Sequence, residues 1–142
     1  MITFVNYSII HNSKLIFMVQ EFEFRKTMQE RLKKFALRII KLFQSLPKTE
    51  EARIIGKQLL RSATSAGANY RAACRARSPK EFYSKLSIVI EEADESMFWI
   101  ELLGESNIIK ATLLQDLLFE NEEIIKIIVS ARKKYQEHQK LK

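Results

Sequence analysis

The chain has 142 residues and a mass of 16.7 kDa, which suffices for one domain with its own apolar core and leaves no room for a second. Apolar residues make up 46% and charged residues 29%, a balance typical of globular proteins and not of disordered or membrane-embedded ones. With only 3 glycines and 2 prolines, the chain lacks the turn residues that all-β folds need. We therefore predict an all-α protein.

Charge is unevenly distributed along the chain. The net charge of +7 and the pI near 9.6 indicate an anionic partner. Residues 18–77 hold 14 Lys and Arg against 5 Asp and Glu, residues 78–128 hold 4 against 11, and residues 129–142 hold 5 against 1. The sequence thus consists of a basic half, an acidic block and a basic tail.

The first 17 residues differ from the rest of the chain. They are apolar, but His11 and its polar neighbours interrupt them, so they resemble neither a membrane span nor a signal-peptide core. Met18 stands directly before a polar run that opens the first predicted helix. We predict that residues 1–17 are a disordered extension or a misassigned start, and that residues 18–142 form the domain.

Four helices are predicted in that domain. Apolar residues three and four apart from Met28 to Leu46 define one face of the first helix, which ends at Pro47. Thr49 is the predicted N-cap of the second helix, which extends to about Arg77.

The remaining two helices are predicted from local end signals. The run Ser78–Glu81 (SPKE) predicts a capping box with proline at the first helical position, and Gly104 predicts a left-handed helix stop. The fourth helix is predicted to open near Thr112, with Gln115 completing a second capping box. Short connections between four helices favour an antiparallel up-down-up-down four-helix bundle.

The second helix carries a row of cations on one face. At 100° per residue the five cations of this row fall within an arc of roughly 80°. No acidic residue occurs from Ala52 to Pro79 to neutralise the row. Arginine binds phosphate through two parallel hydrogen bonds, so we predict a nucleic-acid-binding surface; the alternative is an ordinary solvated face. The predicted binding residues are Arg53, Lys57, Arg61, Arg71 and Arg75, flanked by Lys33, Lys34 and Arg38 on the first helix and Arg132, Lys133 and Lys134 on the tail.

The third helix is apolar on more than one side, which predicts an interface between copies of the chain. An acidic third helix that meets a basic neighbour in another copy would close a ring. A different helix phase, or cover by a loop, is the alternative. This interface suggests an alternative to nucleic-acid binding, namely a protein-interaction scaffold in which the basic row of the second helix is buried between copies. The predicted interface residues are Ile88, Glu92, Glu95, Trp99 and Leu102.

Enzyme chemistry finds little support in the sequence, and we predict no cofactor and no metal. The acidic residues come without the Glu-x-x-His pairs of bundle metal sites, and the single cysteine, Cys74, excludes an internal disulfide. A single cysteine fits a reducing compartment, and we therefore predict a cytoplasmic location. A remote alternative is a ribonuclease, because Arg132 and His138 are spaced like the Arg-x5-His arrangement of HEPN-type nucleases.

Two blocks of the chain resemble the bacterial four helix bundle proteins, first described from reading frames within intervening sequences of 23S ribosomal RNA genes. They are Arg61–Ala73 (RSATSAGANYRAA), and Glu92–Glu95 (EADE) with Trp99–Leu103 (WIELL). The resemblance covers about residues 24–136. This chain departs from it with Ala72, where members often have an acidic residue, and Ala63, where they often have glycine.

The resemblance implies a homopentameric bundle without enzymatic activity. It also implies similarity to the accessory protein of diversity-generating retroelements, a basic pentamer that binds nucleic acid and reverse transcriptase. The expected partners are therefore other copies of the chain, RNA or DNA, and a reverse transcriptase or another protein, with no membrane.

Overall fold

The computed structural model describes the backbone of residues 2–141 and the side chains of residues 11–141. Every regular element in this part of the chain is helical, which confirms the predicted all-α class. A short 3-10 turn, Ala111–Leu113, precedes the last helix. The α-helices are α1 (Ile2–Ser45), α2 (Glu50–Ala73), α3 (Pro79–Glu105) and α4 (Gln115–Lys140).

Consecutive helices pack side by side and run antiparallel. α1 packs on α2, α2 on α3 and α3 on α4, while α4 meets α1 over a smaller contact that closes the bundle. α1 and α3 lie on one diagonal, and α2 and α4 on the other. This is the predicted up-down-up-down arrangement.

The N-terminal ends of α2 and α3 form as the sequence predicts. The Thr49 side chain accepts a hydrogen bond from the backbone N–H of Ala52 at 3.3 Å. Ser78 accepts one from the N–H of Glu81 at 3.1 Å, and the Glu81 carboxylate reaches back to the N–H of Arg77 at 2.9 Å. These bonds satisfy N–H groups that have no partner within the helix.

The helix stop predicted at Gly104 is wrong. No described glycine has a positive φ, and Gly104 lies buried inside α3. The left-handed position is Asn107, with φ of 58°, a residue type that tolerates this conformation. A Cβ on Gly104 would stand 3.4 Å from a methyl carbon of Leu114 and 3.7 Å from Ala111, which are ordinary contact distances, so Gly104 sits where the segment before α4 packs on α3.

The capping box predicted at Thr112 and Gln115 is also wrong. Thr112 lies within the 3-10 turn, and the N-cap of α4 is Leu114, which makes no side-chain capping bond. Instead of a side-chain cap, backbone hydrogen bonds within the 3-10 turn precede α4, including one from the N–H of Leu114 to the carbonyl of Ala111 at 3.0 Å.

Two helix boundaries differ from the predicted ones. α1 begins at Ile2 and not near Met18, since no proline or glycine interrupts the sequence before Pro47. α2 ends at Ala73, four residues before the predicted end at Arg77. Residues 11–24 are all exposed; the assignment of residues 1–17 to a region outside the domain stays a prediction.

The helix faces predicted to point inward are the buried faces. Apolar side chains from all four helices meet in one core cluster, and this burial is the main favourable term in folding. Its members with at most 1% exposure include Leu32 and Ile39 of α1, Leu59 and Ala63 of α2, Leu86, Val89 and Ile100 of α3, and Ile124 and Ile128 of α4.

Three polar side chains are buried with the core, and each has a partner. The Oγ atoms of Ser62 and Ser96 lie 2.8 Å apart where α2 and α3 cross. The amide of Asn121 donates to the carbonyl of Ala93 at 2.7 Å and thereby links α4 to α3. Asn69 is half-buried and bonds to Ser65 of its own helix.

Candidate nucleic-acid interface

The five cations of α2 point outward together. Arg53, Lys57, Arg61, Arg71 and Arg75 are all exposed, while the opposite face of the helix is buried against the core. The row follows from helix geometry, because steps of 4, 4, 10 and 4 residues at 100° per residue keep its members within an arc of roughly 80°. The core therefore holds α2 with its cations toward solvent.

Two members of the row are neutralised within the chain. Arg53 binds Glu50 at 2.7 Å, and Arg61 binds Glu92 at 3.3 Å and also Glu95. The sequence argument that no carboxylate neutralises the row is therefore wrong at these positions. It considered only carboxylates within residues 52–79, whereas α3 presents two glutamates to Arg61 across the helix pair.

The Arg61 cluster also fixes Trp99. Hydrogen bonding to Glu95 raises the pKa of the Arg61 guanidinium above its ordinary value. Hydrogen bonds from Arg61 and from the Trp99 indole lower the pKa of the Glu95 carboxyl, the latter bond measuring 3.1 Å. The cluster is an ionic link between α2 and α3 at the protein surface.

One of the other cations of the row, Arg71, lies at an open groove between α1 and α2. The groove has a volume of about 490 Å³, and Arg71 lines it together with Lys26 and Lys33 of α1. Its α2 wall consists of Thr64, Gly67 and Ala68, whose small side chains leave the backbone accessible. Sequence reasoning missed Lys26, which could have been found from its position two turns before Lys33 on the same helix face.

Lys57, Arg71 and Arg75 form no ion pair with a described residue, and neither do Lys33, Lys34 and Arg38 of α1. All six are exposed. The neighbouring Arg31 is different, because it binds Glu120 of α4 through two bonds of 2.6 and 3.0 Å. This hydrogen bonding raises the pKa of the Arg31 guanidinium and ties α1 to α4.

The basic tail does not join the groove. Arg132 is half-buried, donates to the Ser87 hydroxyl at 3.1 Å and stacks on the Tyr83 ring at 5.5 Å. Lys133 and Lys134 are exposed, but Lys134 lines a cleft between α1 and α4, on the other side of α1 from the groove. The structure thus separates the tail candidates from the row on α2.

The predicted interface residues of α3 lie at the edges of its exposed face. Ile88, Glu92, Glu95, Trp99 and Leu102 are all half-buried within the single chain. The buried face of α3 includes Ser96 and Leu103 as well as Val89 and Ile100, and it therefore extends toward the predicted interface residues. The positions that point outward are Glu91, Asp94, Phe98, Glu101 and Glu105. They form an acidic stripe whose one ring, Phe98, is 50% exposed.

Three other kinds of feature concern the Arg132 and His138 pair, metal-binding clusters and membrane-spanning helices. Arg132 is bound to Ser87 of α3, whereas His138 lines the cleft of about 440 Å³ between α1 and α4, so the two side chains lie on different sides of α4 in the described chain. Among the residues that the structure covers, no three His, Cys, Asp or Glu side chains group to hold a metal ion. No described helix is long and apolar enough to cross a membrane.

Comparison with known proteins identifies relatives of the whole bundle. Residues 26–130 match the family described as 23S rRNA-intervening sequence protein. A crystal structure from Bacteroides thetaiotaomicron, described as a protein with unknown function from the S23 ribosomal protein family, is 34% identical with a TM-score of 0.72; the match covers 77% of this chain and 97% of that one. No curated protein matches the sequence. The groove lies entirely within the matched range, and the tail cations lie outside it.

Proposed function

The chain belongs to the 23S rRNA-intervening sequence protein family, and on that basis we propose that it is a non-enzymatic, homo-oligomeric bundle that binds RNA or structured nucleic acid through a basic surface. We place this function in the cytoplasm. The resemblance favours a pentamer, and a reverse transcriptase or another protein is a candidate partner.

The groove between α1 and α2 carries the proposal. Its rim holds Lys26, Lys33 and Arg71 against one carboxylate, that of Glu30. Small residues along one wall would let a phosphate backbone approach the helix surface. An unneutralised guanidinium binds phosphate oxygens with two hydrogen bonds, and Arg71 is available for this role.

The exposed cations next to the groove extend the proposed surface. Lys57 and Arg75 continue the row on α2, and Lys34 and Arg38 continue it on α1. Arg53 and Arg61 are secondary contributors, because each already has a carboxylate partner. Phosphate contacts carry little base information, so the expected binding depends on charge and salt more than on sequence.

Charge reversal of the unpaired cations tests the proposal. We expect the triple variant Lys57→Glu, Arg71→Glu and Arg75→Glu to lose binding to a structured RNA, measured by fluorescence anisotropy at fixed salt. The matched control reverses three exposed lysines elsewhere, Lys80, Lys110 and Lys140, and so changes the net charge equally. Equal binding by both variants, with the fold intact by circular dichroism, would reject the groove as the binding surface.

The acidic stripe of α3 supports a second candidate, an interaction scaffold without nucleic-acid binding. In that case the basic row of one copy meets the stripe of the next, and Phe98 is the apolar centre of the contact. Light scattering of the same triple variant separates the two functions. Loss of assembly favours the scaffold, whereas loss of RNA binding with assembly retained favours the nucleic-acid proposal.

A further inference from the structure

The N-terminal part of α1 exposes an apolar stripe that no described side chain covers. Leu15, Val19 and Phe22 recur at helical spacing, and Met18 lies beside them. Their exposed fractions are 57, 53, 66 and 63% respectively. The opposite face, which includes Phe17 and Phe24, lines the cleft toward α4, so the stripe points away from the bundle.

The stripe forms a contiguous apolar patch of considerable area. Its four side chains expose on the order of 400 Å² of apolar surface, which is the size of the largest apolar patch on a typical soluble monomer, and such patches often mark interaction sites. The surface of a membrane is a poor candidate, because helices that bind there have a basic polar face, whereas residues 11–24 contain one lysine, Lys14, and two glutamates, Glu21 and Glu23.

We propose that a second copy of the chain covers this stripe, with the two α1 segments packed antiparallel about a two-fold axis next to Met18 and Val19. In this register Leu15 of each copy faces Phe22 of the other, and Met18 faces Val19. The stripe is therefore complementary to itself, as an isologous contact requires.

Charge selects the antiparallel direction. Lys14 and Glu21 lie on the same flank of the stripe, two turns apart, so antiparallel packing brings each Lys14 beside the Glu21 of the other copy. Arg25 binds Oε1 of Glu21 at 2.5 Å, which leaves the second oxygen for that lysine. Parallel packing would instead put the Lys14 of one copy and the Glu21 of the other on opposite flanks of the contact, so it offers no such ion pair.

The contact is distinct from the predicted interface on α3 and does not depend on nucleic-acid binding. Its area is about half of the roughly 800 Å² per partner found in stable interfaces, so it belongs to the weak class. Weak contacts of this kind act when another interface already holds the chains close together. The contact would join copies, or rings of copies, end to end along α1.

Site-directed cross-linking tests both the contact and its register. Cys74 is the only cysteine of the chain, so Cys74→Ser provides a clean background. We expect Met18→Cys in that background to form disulfide-linked dimers about tenfold faster than Leu113→Cys, because facing positions share a high effective concentration. Leu113, exposed at the far end of the bundle, is the matched apolar control.

The register is tested by mixing variants. Leu15→Cys and Phe22→Cys should each dimerise slowly alone and cross-link rapidly to each other. A Met18→Cys rate equal to that of the Leu113→Cys control would overturn the proposal, and so would rapid self-linking of Leu15→Cys, which indicates parallel packing.

A charge swap and a lipid assay complete the test. In the Met18→Cys background, Lys14→Glu or Glu21→Lys alone should slow cross-linking, and both together should restore it. Co-sedimentation with phosphatidylcholine and phosphatidylglycerol vesicles that Phe22→Ser abolishes would identify a membrane as the occupant and would refute the second copy.

Discussion

Two arginines on the same helix, ten residues apart, should respond differently to salt. Arg61 and Arg71 are both exposed on α2, but Arg61 is bound by Glu92 and Glu95, whereas Arg71 faces the open groove. Salt dependence arises because cations that neutralise phosphates release counterions from the nucleic acid, and a guanidinium already bound by carboxylates contributes little to this. Replacement of Arg71 by glutamine should therefore lower the salt dependence of RNA binding, and replacement of Arg61 should not.

The expected size follows from the number of cations that contact phosphate groups, which we take as four of the unpaired ones. Each contact to single-stranded nucleic acid contributes about 0.7 to the slope of log affinity against log salt, so it weakens binding about 2.6-fold between 50 and 200 mM salt. Four contacts per chain, from Lys33, Lys57, Arg71 and Arg75, would give a loss of roughly 50-fold. Without Arg71 the loss should fall to roughly 20-fold.

Fluorescence anisotropy titrations at several salt concentrations give the slopes directly. Arg61→Gln is the matched control, since it removes the same charge from the same helix. Equal changes of slope for Arg61→Gln and Arg71→Gln would contradict the assignment of Arg61 to an internal ionic link. No change for either variant would place the phosphate contacts elsewhere.

Three further variants probe the links that hold the helices in place. Arg31→Met should lower the free energy of unfolding in urea by about 1–3 kcal/mol, because it leaves the half-buried Glu120 without its partner; Glu120→Gln in the same chain should recover part of the loss. Asn121→Ala should cost about 1–3 kcal/mol by removing a buried hydrogen bond and leaving a small cavity, measured in the same way. The pKa of Glu95 is lowered in the folded protein, so its ionised carboxylate stabilises the fold above the unfolded pKa, and this stabilisation is lost as the pH falls through the folded pKa. The difference in unfolding free energy between the unmodified protein and Glu95→Gln should therefore narrow between about pH 5 and pH 3. A gap that widens on acidification would contradict the ion pair with Arg61.

The helices could be predicted from the sequence because their signals are local. The capping bonds at Thr49 and Ser78 and the buried faces depend on residues within one or two turns. Helix ends were harder to predict, because tertiary packing decided them. Gly104 looks like a stop signal in sequence, but it remains in α3 where Leu114 and Ala111 come close.

The candidate site could be predicted only in part, for the same reason. Helix periodicity placed the cation row on the exposed face of α2, but it could not reveal which members have partners. The carboxylates that bind Arg61 lie 31 and 34 residues further along the chain. Their approach depends on how α2 and α3 cross, which a single sequence does not state. The contacts of Arg132 were hidden in the same way, because Ser87 and Tyr83 belong to another helix.

The ion pair between Arg31 and Glu120 gives α4 an influence on a surface to which it contributes no atom. α1 supplies one wall of the groove and meets α4 over the smallest of the four helix contacts. A shift of α4 therefore pulls on α1 through this pair and alters the spacing between Lys33 and Arg71 across the opening. If the groove binds a phosphate chain as proposed, its width would thus depend in part on α4, a helix on the far side of α1.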